Sequence, residues 1–411
     1  MKERTKKMSK ITEPMLLDST GKEIVEKLHT QNMLLNLMAG AAMEGTTSMA
    51  EIRKIVQAGK ASEVYNIGDQ IVVPWTDVTT GQKYEAVGDI VHFGNVTLKD
   101  GEEVPGMFIQ WHYATPFGVQ FDNNEAFYTS EVELPAGTYN ITVGTNWGRN
   151  CNEGEKYQFV LTKPVPQGGM LVGFWGMPDK TPAEWRVSSY RDGTSTKAIE
   201  TVSVTAGSAG TSLGTFTLTG DSSLNGLPRL SYGYNRWSQS AMRQWLNSDK
   251  PAGQWWTSQN KFDRVPEQHA TKAGFMSGFE RELLDCIQPI KVVTALNAVS
   301  DKADGETEVT YDTFFLPSLE QMYIAPQLAG EGDVWEYWKR ASGMSTKMNL
   351  RRAYPQIRTY AIENHTSAQN VNLRSANRGD ACKTWTVDKS GGTTCYNAVD
   401  ALRSSPVCVI C

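Results

Sequence analysis

The sequence has no long apolar run, no stretch rich in basic residues and no paired metal-binding motif. The basic segment Met1–Lys10 is followed by Ile11-Thr12-Glu13-Pro14, so it predicts neither a signal peptide nor a membrane anchor. The formal net charge of −5 is small for 411 residues. Because no basic stripe is present, we expect neither nucleic acid nor a membrane surface as a partner.

The cysteines and histidines also lack the spacing of a metal site. The six cysteines do not form the double pairs of a zinc site, and we interpret them as reduced thiols. Cys408 and Cys411 have the two-residue spacing of a redox pair, but no helix follows that would lower a thiol pKa. The five histidines are scattered and are interpreted as structural or surface residues. We predict no metal and no cofactor.

No set of catalytic residues is apparent. A glycosidase needs two carboxylates about 5 to 9 Å apart, and Asp312, Glu320 and Glu331 are candidates that the sequence does not bring together. We expect each to be solvated or to cap a local element. Cys286 lies on an apolar helical face, where a small core residue is expected. The chain is therefore predicted not to be an enzyme.

The length predicts two or three domains, and the first has a helical pattern. Thr20 to Glu23 forms a capping box before an amphipathic helix that continues to Met38. A second capped helix follows Ser48, with Ile52, Ile55 and Val56 on one face. We interpret residues 1–60 as a helical segment for anchoring and oligomerisation. A helix this short gains stability by burying its apolar face, either on its own domain or against other copies.

Residues 61–225 show the period-two alternation of strands. Turn residues separate many short segments, a pattern that predicts an all-β sandwich or jelly roll with a spacing or anchoring role. The predicted strands are Gln70–Val73, Glu85–Val91, Met107–His112, Thr138–Val143, Lys156–Leu161, Leu171–Phe174, Trp185–Ser189, Glu200–Val204 and Gly214–Leu218.

Residues 226–411 combine helical and extended patterns and predict an α+β domain. A short helix is expected at Ala241–Leu246, and a second is expected to place Phe275, Phe279, Leu283 and Ile287 on one face. The predicted core of this domain contains Trp245, Phe279, Leu283 and Leu316.

Residue usage changes near the C-terminus. From Asp380 to Ser404 nearly every residue is one that an AAC codon can encode after changes to its adenines alone, and Glu, Gln and Met are absent. Lys383, Trp385 and Lys389 depart from this pattern. The segment, held between Leu373-Arg374-Ser375 and Pro406–Ile410, resembles the variable region of proteins that are diversified by retroelements. A polar loop that has drifted is the alternative interpretation.

Three sequence blocks carry a wider resemblance. They are Tyr234–Asn247, Phe314–Ser318 and Leu373–Asn377, in this order. Together they are similar to a phage and prophage domain with a C-type-lectin-like fold, which is also the fold of formylglycine-generating enzymes. The resemblance implies a multidomain chain in which residues 226–411 form a lectin-like scaffold. It also implies that a diversified C-terminal segment crosses the outer face of this scaffold.

The resemblance implies a receptor-binding protein of a phage virion, on the tail or particle surface. The expected partners are a host cell-surface receptor, other virion proteins and further copies of the chain, most simply in a trimer. A scaffold tolerates varied side chains only where they face solvent, and mixed aromatic and small polar residues are typical of antibody-type paratopes. The predicted ligand-binding residues are Asp380, Cys382, Thr384, Thr386, Asp388, Thr394, Cys395, Tyr396, Asn397, Val399, Asp400 and Leu402, with Asn370 and Asn372 in second rank.

A second function class remains open. The chain is alternatively a carbohydrate-binding module or an enzyme of the formylglycine-generating fold, displayed on a bacterial surface. Trp335, Tyr337 and Trp338 form a candidate sugar platform, although core packing of at least one is favoured. The calcium-dependent sugar motifs of animal C-type lectins, Glu-Pro-Asn and Trp-Asn-Asp, are absent from the sequence.

Overall fold

The computed structural model describes most of the chain beyond residue 47. The described residues are 48–125, 128–144, 153–173, 184–189, 197–216, 232–259, 263–298, 301, 306–339 and 359–411. The predicted helix after Thr20, and with it the predicted site of trimerisation, lies outside these residues. Among the described residues, no helix is long and apolar enough to cross a membrane.

The first described element begins at the capping box that the sequence predicts. The backbone N–H of Ser48 donates to Glu51 Oε2 at 2.9 Å, and the Glu51 N–H donates to Ser48 Oγ at 3.3 Å. Helix α1 (Met49–Gln57) buries Ile52, Ile55 and Val56, as predicted.

Short elements and one long hairpin follow helix α1. They are α2 (Ala61–Val64), β1 (Gln70–Val72), β2 (Trp75–Asp77), β3 (Gln82–Tyr84), β4 (Val87–Thr97), β5 (Glu103–Trp111) and β6 (Val119–Gln120). Strands β4 and β5 pair antiparallel along almost their whole length, with one irregularity after Ile90.

The middle of the chain forms two four-stranded sheets. Their strands are β7 (Tyr128–Thr129), β8 (Gly137–Val143), β9 (Lys156–Leu161), β10 (Met170–Gly173), β11 (Glu184–Ser189), β12 (Lys197–Ser203), β13 (Thr205–Ala206) and β14 (Thr211–Phe216). One sheet has the order β12-β11-β10-β7 and the other the order β13-β9-β8-β14. The chain passes from the first sheet to the second after β7, returns after β9, and passes to the second again between Ser203 and Thr205.

The last part of the chain mixes short helices, 3-10 turns and strands. The helices are α3 (Ala241–Leu246), α4 (Arg281–Leu284) and α5 (Glu336–Lys339), and the 3-10 turns are Trp237–Gln239, Glu267–Ala270 and Phe275–Gly278. The strands are β15 (Ile290–Ala295), β16 (Thr307–Asp312), β17 (Phe314–Phe315), β18 (Val371–Ala376), β19 (Lys383–Val387), β20 (Thr393–Asn397), β21 (Ala401–Leu402) and β22 (Val407–Ile410).

The described fold is rich in β-strands and contains few helices, and each of the nine predicted strands overlaps an observed one. The predicted domain boundaries need correction. A five-stranded sheet has the order β1-β4-β5-β22-β17, so strands from residues 61–225 and 226–411 share one sheet. Val409 of β22 pairs with Phe108 of β5. Alternation identifies a strand but not the strand with which it pairs. The predicted sandwich therefore included β1, β4 and β5, which belong to the same sheet as the C-terminal strand β22.

One hydrophobic core joins the two ends of the described chain. It extends from Ile52 in α1 to Cys411, and it includes Trp111 of β5. The four predicted core residues are all buried: Trp245, Phe279, Leu283 and Leu316. The continuous helix predicted across Phe275–Ile287 is wrong, because a 3-10 turn and the one-turn helix α4 replace it. Its apolar residues are nevertheless buried in the core.

Candidate functional site

The Asn235 side chain fixes the loop at the start of the predicted binding segment. It is fully buried, and its Nδ2 donates to the backbone oxygens of Asn377 at 3.1 Å, Asp380 at 2.7 Å and Lys383 at 2.7 Å. The Asn235 N–H donates to Ala381 O at 3.0 Å. One residue of the first sequence block therefore holds the connection between β18 and β19.

Asp312 links the first block to the strand before the second block. Its Oδ2 accepts from Trp237 Nε1 at 2.9 Å, and its Oδ1 accepts from Arg243 Nε at 2.6 Å. Thr310 Oγ1 also donates to Asp312 Oδ2, at 2.6 Å. Asp312 is thus part of the buried frame.

Arg374 links the third block to the second. Its side chain is only 1% exposed, and its Nη1 donates to Leu316 O at 2.8 Å and to Gln321 Oε1 at 2.6 Å. Burial lowers the pKa of Arg374 to about 10, while the neighbouring Glu331 carboxylate opposes that shift. Burial raises the Glu331 pKa, and Ser375 Oγ donates to Glu331 Oε2 at 2.5 Å. Buried hydrogen bonds therefore connect the first block with the third and the third with the second.

This frame supports a three-stranded sheet with the order β18-β19-β20. One face of the sheet places Val371, Leu373 and Val387 in a buried apolar cluster, and Trp385 packs against that cluster. Trp385 remains half-buried, and its Nε1 donates to Gln327 Oε1 at 3.3 Å. The first face therefore anchors the sheet to the body.

A tyrosine bridge covers part of the opposite face. Tyr396 lies opposite Thr384, and Asn372 lies opposite Thr386, so these four side chains share that face. Asn370 Nδ2 donates to Tyr396 Oη at 2.9 Å. Since β18 and β20 lie on either side of β19, roughly 10 Å apart, the bonded pair spans β19.

Four predicted contact residues are buried, and their prediction as exposed residues is wrong. Thr384 and Thr386 are 0% exposed, and Cys382 and Asn372 are 2% exposed. Thr384 Oγ1 donates to Asn372 Oδ1 at 3.3 Å, and Thr386 Oγ1 donates to Thr394 O at 3.2 Å. Burial raises the Cys382 pKa, so this thiol is held protonated. Small polar residues suggested solvent exposure, but here they bond to each other inside a sheet.

The predicted acidic residues serve local structure. Asp388 Oδ1 accepts from the Ser390 N–H at 2.8 Å and the Gly392 N–H at 3.0 Å, which closes the turn between β19 and β20. Asp400 Oδ2 accepts from the Asn397 N–H at 3.0 Å. Asp380 Oδ2 lies 3.0 Å from Lys383 Nζ. These carboxylates shape the backbone of the predicted binding segment.

Seven predicted residues, together with Thr393, which was not predicted, form what we call the edge surface. Strand β20 lies at the edge of its sheet, and all of its side chains are half-buried. Cys395 and Asn397 point to the face opposite Thr394 and Tyr396, so the predicted single contiguous face is wrong. The edge surface comprises Thr393, Thr394, Cys395, Tyr396, Asn397, Val399, Asp400 and Leu402, all half-buried.

The segment after β20 is held by close backbone contacts. The Val399 N–H donates to Tyr232 O at 3.0 Å, and Ala401 pairs with Gln120 of β6. Gly233 has a φ of +91°, and a Cβ there would lie 2.8 Å from Asp122 O and 2.9 Å from Ala398 Cβ. The edge surface is therefore carried on a fixed backbone.

The other sequence candidates have structural roles. Trp335 is 1% exposed and belongs to the core, and Tyr337 Oη donates to Asp89 Oδ2 at 3.1 Å. Glu320 Oε2 accepts from the N–H groups of Gly330 and Glu331, both at 2.8 Å. Within the described ranges, no group of His, Cys, Asp and Glu has the arrangement of a metal site.

Sequence reasoning missed a surface pocket that contains Tyr84, Tyr113 and His365. Its walls come from distant parts of the chain, and the left-handed backbone of His365, with φ 58°, is uncommon for a residue other than glycine. The turn-forming residues around Asn364 were the one available signal.

Residues 215–410 match the family described as Domain of unknown function (DUF6273). This stretch contains all three sequence blocks and the edge surface, but it excludes β1, β4 and β5 of the five-stranded sheet. No curated protein and no solved structure shows a significant match.

Proposed function

We propose that this chain is a receptor-binding protein of a phage virion. In this proposal, a lectin-like C-terminal domain presents the edge surface to a host cell-surface ligand, either a protein or a glycan. Other virion proteins and further copies of the chain mount it, through the segment before residue 40. The resemblance of the three sequence blocks supplies the virion location.

One observation carries the binding part of the proposal. The edge surface combines half-buried Tyr, Asn, Thr and aliphatic side chains on a backbone that Asn235, Asp388 and Asp400 fix through hydrogen bonds. A rigid frame lowers the entropy lost on binding, and mixed aromatic and small polar side chains suit varied ligands.

The burial of these side chains also favours diversification at only some positions of the segment. Substitution costs little at half-exposed positions, whereas changes at buried ones cost about 1 to 5 kcal/mol. We therefore expect diversified positions to include Thr394, Asn397 and Leu402, and to exclude Thr384 and Thr386, which are fully buried.

The coding locus tests this proposal. We expect a near-copy of the segment encoding Ser375–Pro406 beside a reverse-transcriptase gene, with differences only at adenines of the template. A locus without such a copy, or with differences spread over all bases and over the codons of buried residues, would contradict diversification.

A further inference from the structure

A second site lies away from the edge surface. A pocket of about 600 Å³ is lined by Lys83, Tyr84, Glu85, Tyr113, Glu363 and His365, among others. This volume falls within the range of about 300 to 1,000 Å³ that is typical of small-molecule sites. None of these residues belongs to the edge surface, so the pocket can be tested separately.

One wall of the pocket is a fixed aromatic pair. The rings of Tyr113 and His365 stack with centroids 4.0 Å apart and an angle of 8° between their planes. The ring of His112 meets Tyr113 edge-on from another side, at 4.7 Å and 86°. His365 has a φ of 58°, in the turn that Asn364 Oδ1 closes by accepting from the Thr366 and Ser367 N–H groups. Since the His365 side chain is exposed, its ring is open to a ligand.

The charged groups that line the pocket, together with Arg403 beside it, balance in formal charge. Arg403 Nη1 donates to both carboxylate oxygens of Glu363, at 2.8 and 2.7 Å, and to Thr115 O at 3.1 Å. Lys83 and Glu85 lie on the exposed hairpin that carries Tyr84. The lining itself carries Lys83, Glu85 and Glu363; Arg403, which pairs with Glu363 but does not line the pocket, brings the formal charge of the four groups to zero. Such a site offers several hydrogen-bond donors and acceptors without favouring an ionic ligand.

We propose that this pocket binds a sugar unit of a neutral saccharide. The C–H groups on one face of a sugar ring carry partial positive charge and pack on the negative face of an aromatic ring. The hydroxyl groups of a sugar donate to carboxylates such as Glu85 and Glu363 and accept from Lys83. A phosphorylated or acidic ligand would need an excess of cations, which this pocket does not have.

The test is binding of the full-length chain to an array of neutral and acidic glycans. The glycans that bind are then titrated as free sugars. We expect at least one neutral saccharide to bind. Tyr84→Ala and Tyr113→Ala should each weaken that binding at least about tenfold, since an aromatic contact and its buried area are worth more than about 1.4 kcal/mol. The matched control is Tyr311→Ala, at a half-buried tyrosine on β16 outside the pocket lining.

Three results would overturn the assignment: no glycan bound, acidic glycans alone bound, or binding that the two pocket variants leave unchanged. If Tyr113→Ala lowers the melting temperature more than the control does, its loss of binding is not used. The binding of Tyr84→Ala and Glu85→Gln, two variants on the exposed hairpin, is then compared with that of the control. Inhibition by a free monosaccharide would indicate recognition of a single unit, and inhibition by longer chains alone would indicate a surface polymer.

Discussion

At the scale of single residues, a few buried polar side chains position the candidate binding surface. Asn235, Asp312 and Arg374 each join segments that are far apart in sequence, and each lies in or beside one of the three sequence blocks. The roles of these residues became visible only through their bonding partners, which no local pattern of the sequence indicates.

Substitution of Asn235 by alanine should destabilise the fold by about 1 to 3 kcal/mol, the usual cost of leaving buried polar groups without their partner. The upper end is not expected, because the Asp380 and Lys383 carbonyl oxygens each retain a second donor. Urea unfolding measures the change, with Asn95→Ala at an exposed strand position as the control. Equal stability of the two variants would contradict the role assigned to Asn235.

His112 should make a pH-dependent contribution to stability. Its ring lies 2.7 Å from Asp89 Oδ2, and this hydrogen bond raises the His112 pKa above the ordinary value of 6.5. A raised pKa gives stability that is fully present below pH 6.5 and is lost as the pH rises through the folded-state pKa. His112→Gln should therefore cost more stability near about pH 5.5 than near about pH 8.5, on either side of the histidine range. Urea unfolding of both proteins at the two pH values gives this difference, and a cost that grows with pH would show that the sign is wrong.

At the scale of elements, hydrogen-bond geometry decides which predicted contact residues reach solvent. Local alternation correctly indicated strands, including Lys156–Leu161 at its observed bounds. It could not indicate that Thr384 and Thr386 lie beneath a hydrogen bond between Tyr396 and Asn370. A threonine has the same local signature whether its hydroxyl faces water or a neighbouring strand.

The close packing of the segment after β20 can be tested at Gly233. Alanine there should cost more than about 1 to 3 kcal/mol, because a strained backbone angle combines with a collision against Asp122 and Ala398. Gly253→Ala is the control, since Gly253 has a φ of +79° and no atom within 4 Å of an added Cβ. Thermal or urea unfolding should rank Gly233→Ala as the less stable variant. If Gly253→Ala were the less stable variant, the segments that carry Gly233 and Asp122 could separate at little cost in free energy.

At the scale of the whole molecule, the five-stranded sheet unites the two ends of the described chain. Strands β4 and β5 pair with each other through a short turn, a contact that sequence reasoning can anticipate. The pairing of β5 with β22 depends on a contact across most of the chain, which no local pattern encodes. For the same reason, the sequence indicated the three blocks of the frame but not the pocket at Tyr84 and Tyr113.

The two sheets of residues 128–216 should be removable. Within the described chain, their strands pair only with one another, and the segments that flank them meet where Gly233 approaches Asp122. Replacing residues 126–230 by a flexible linker of about eight residues should leave a protein that unfolds cooperatively in urea. Aggregation or loss of cooperative unfolding would show that the core does not fold without residues 126–230.

Binding by matched variants tests the central claim most directly, that the edge surface recognises a cell-surface ligand. The measurement is binding of the labelled full-length chain to a panel of intact bacterial strains. We compare the triple variant Thr394→Ala, Asn397→Ala, Leu402→Ala with the control Thr307→Ala, Asn95→Ala, Val309→Ala, in which matched residues on exposed strand positions are replaced. We expect the unaltered chain to bind at least one strain. We expect the edge variant to lose at least about tenfold in affinity, or about 1.4 kcal/mol, at an unchanged melting temperature, and the control to bind as before. An edge variant that binds like the unaltered chain, or an unaltered chain that binds no strain, would contradict the claim.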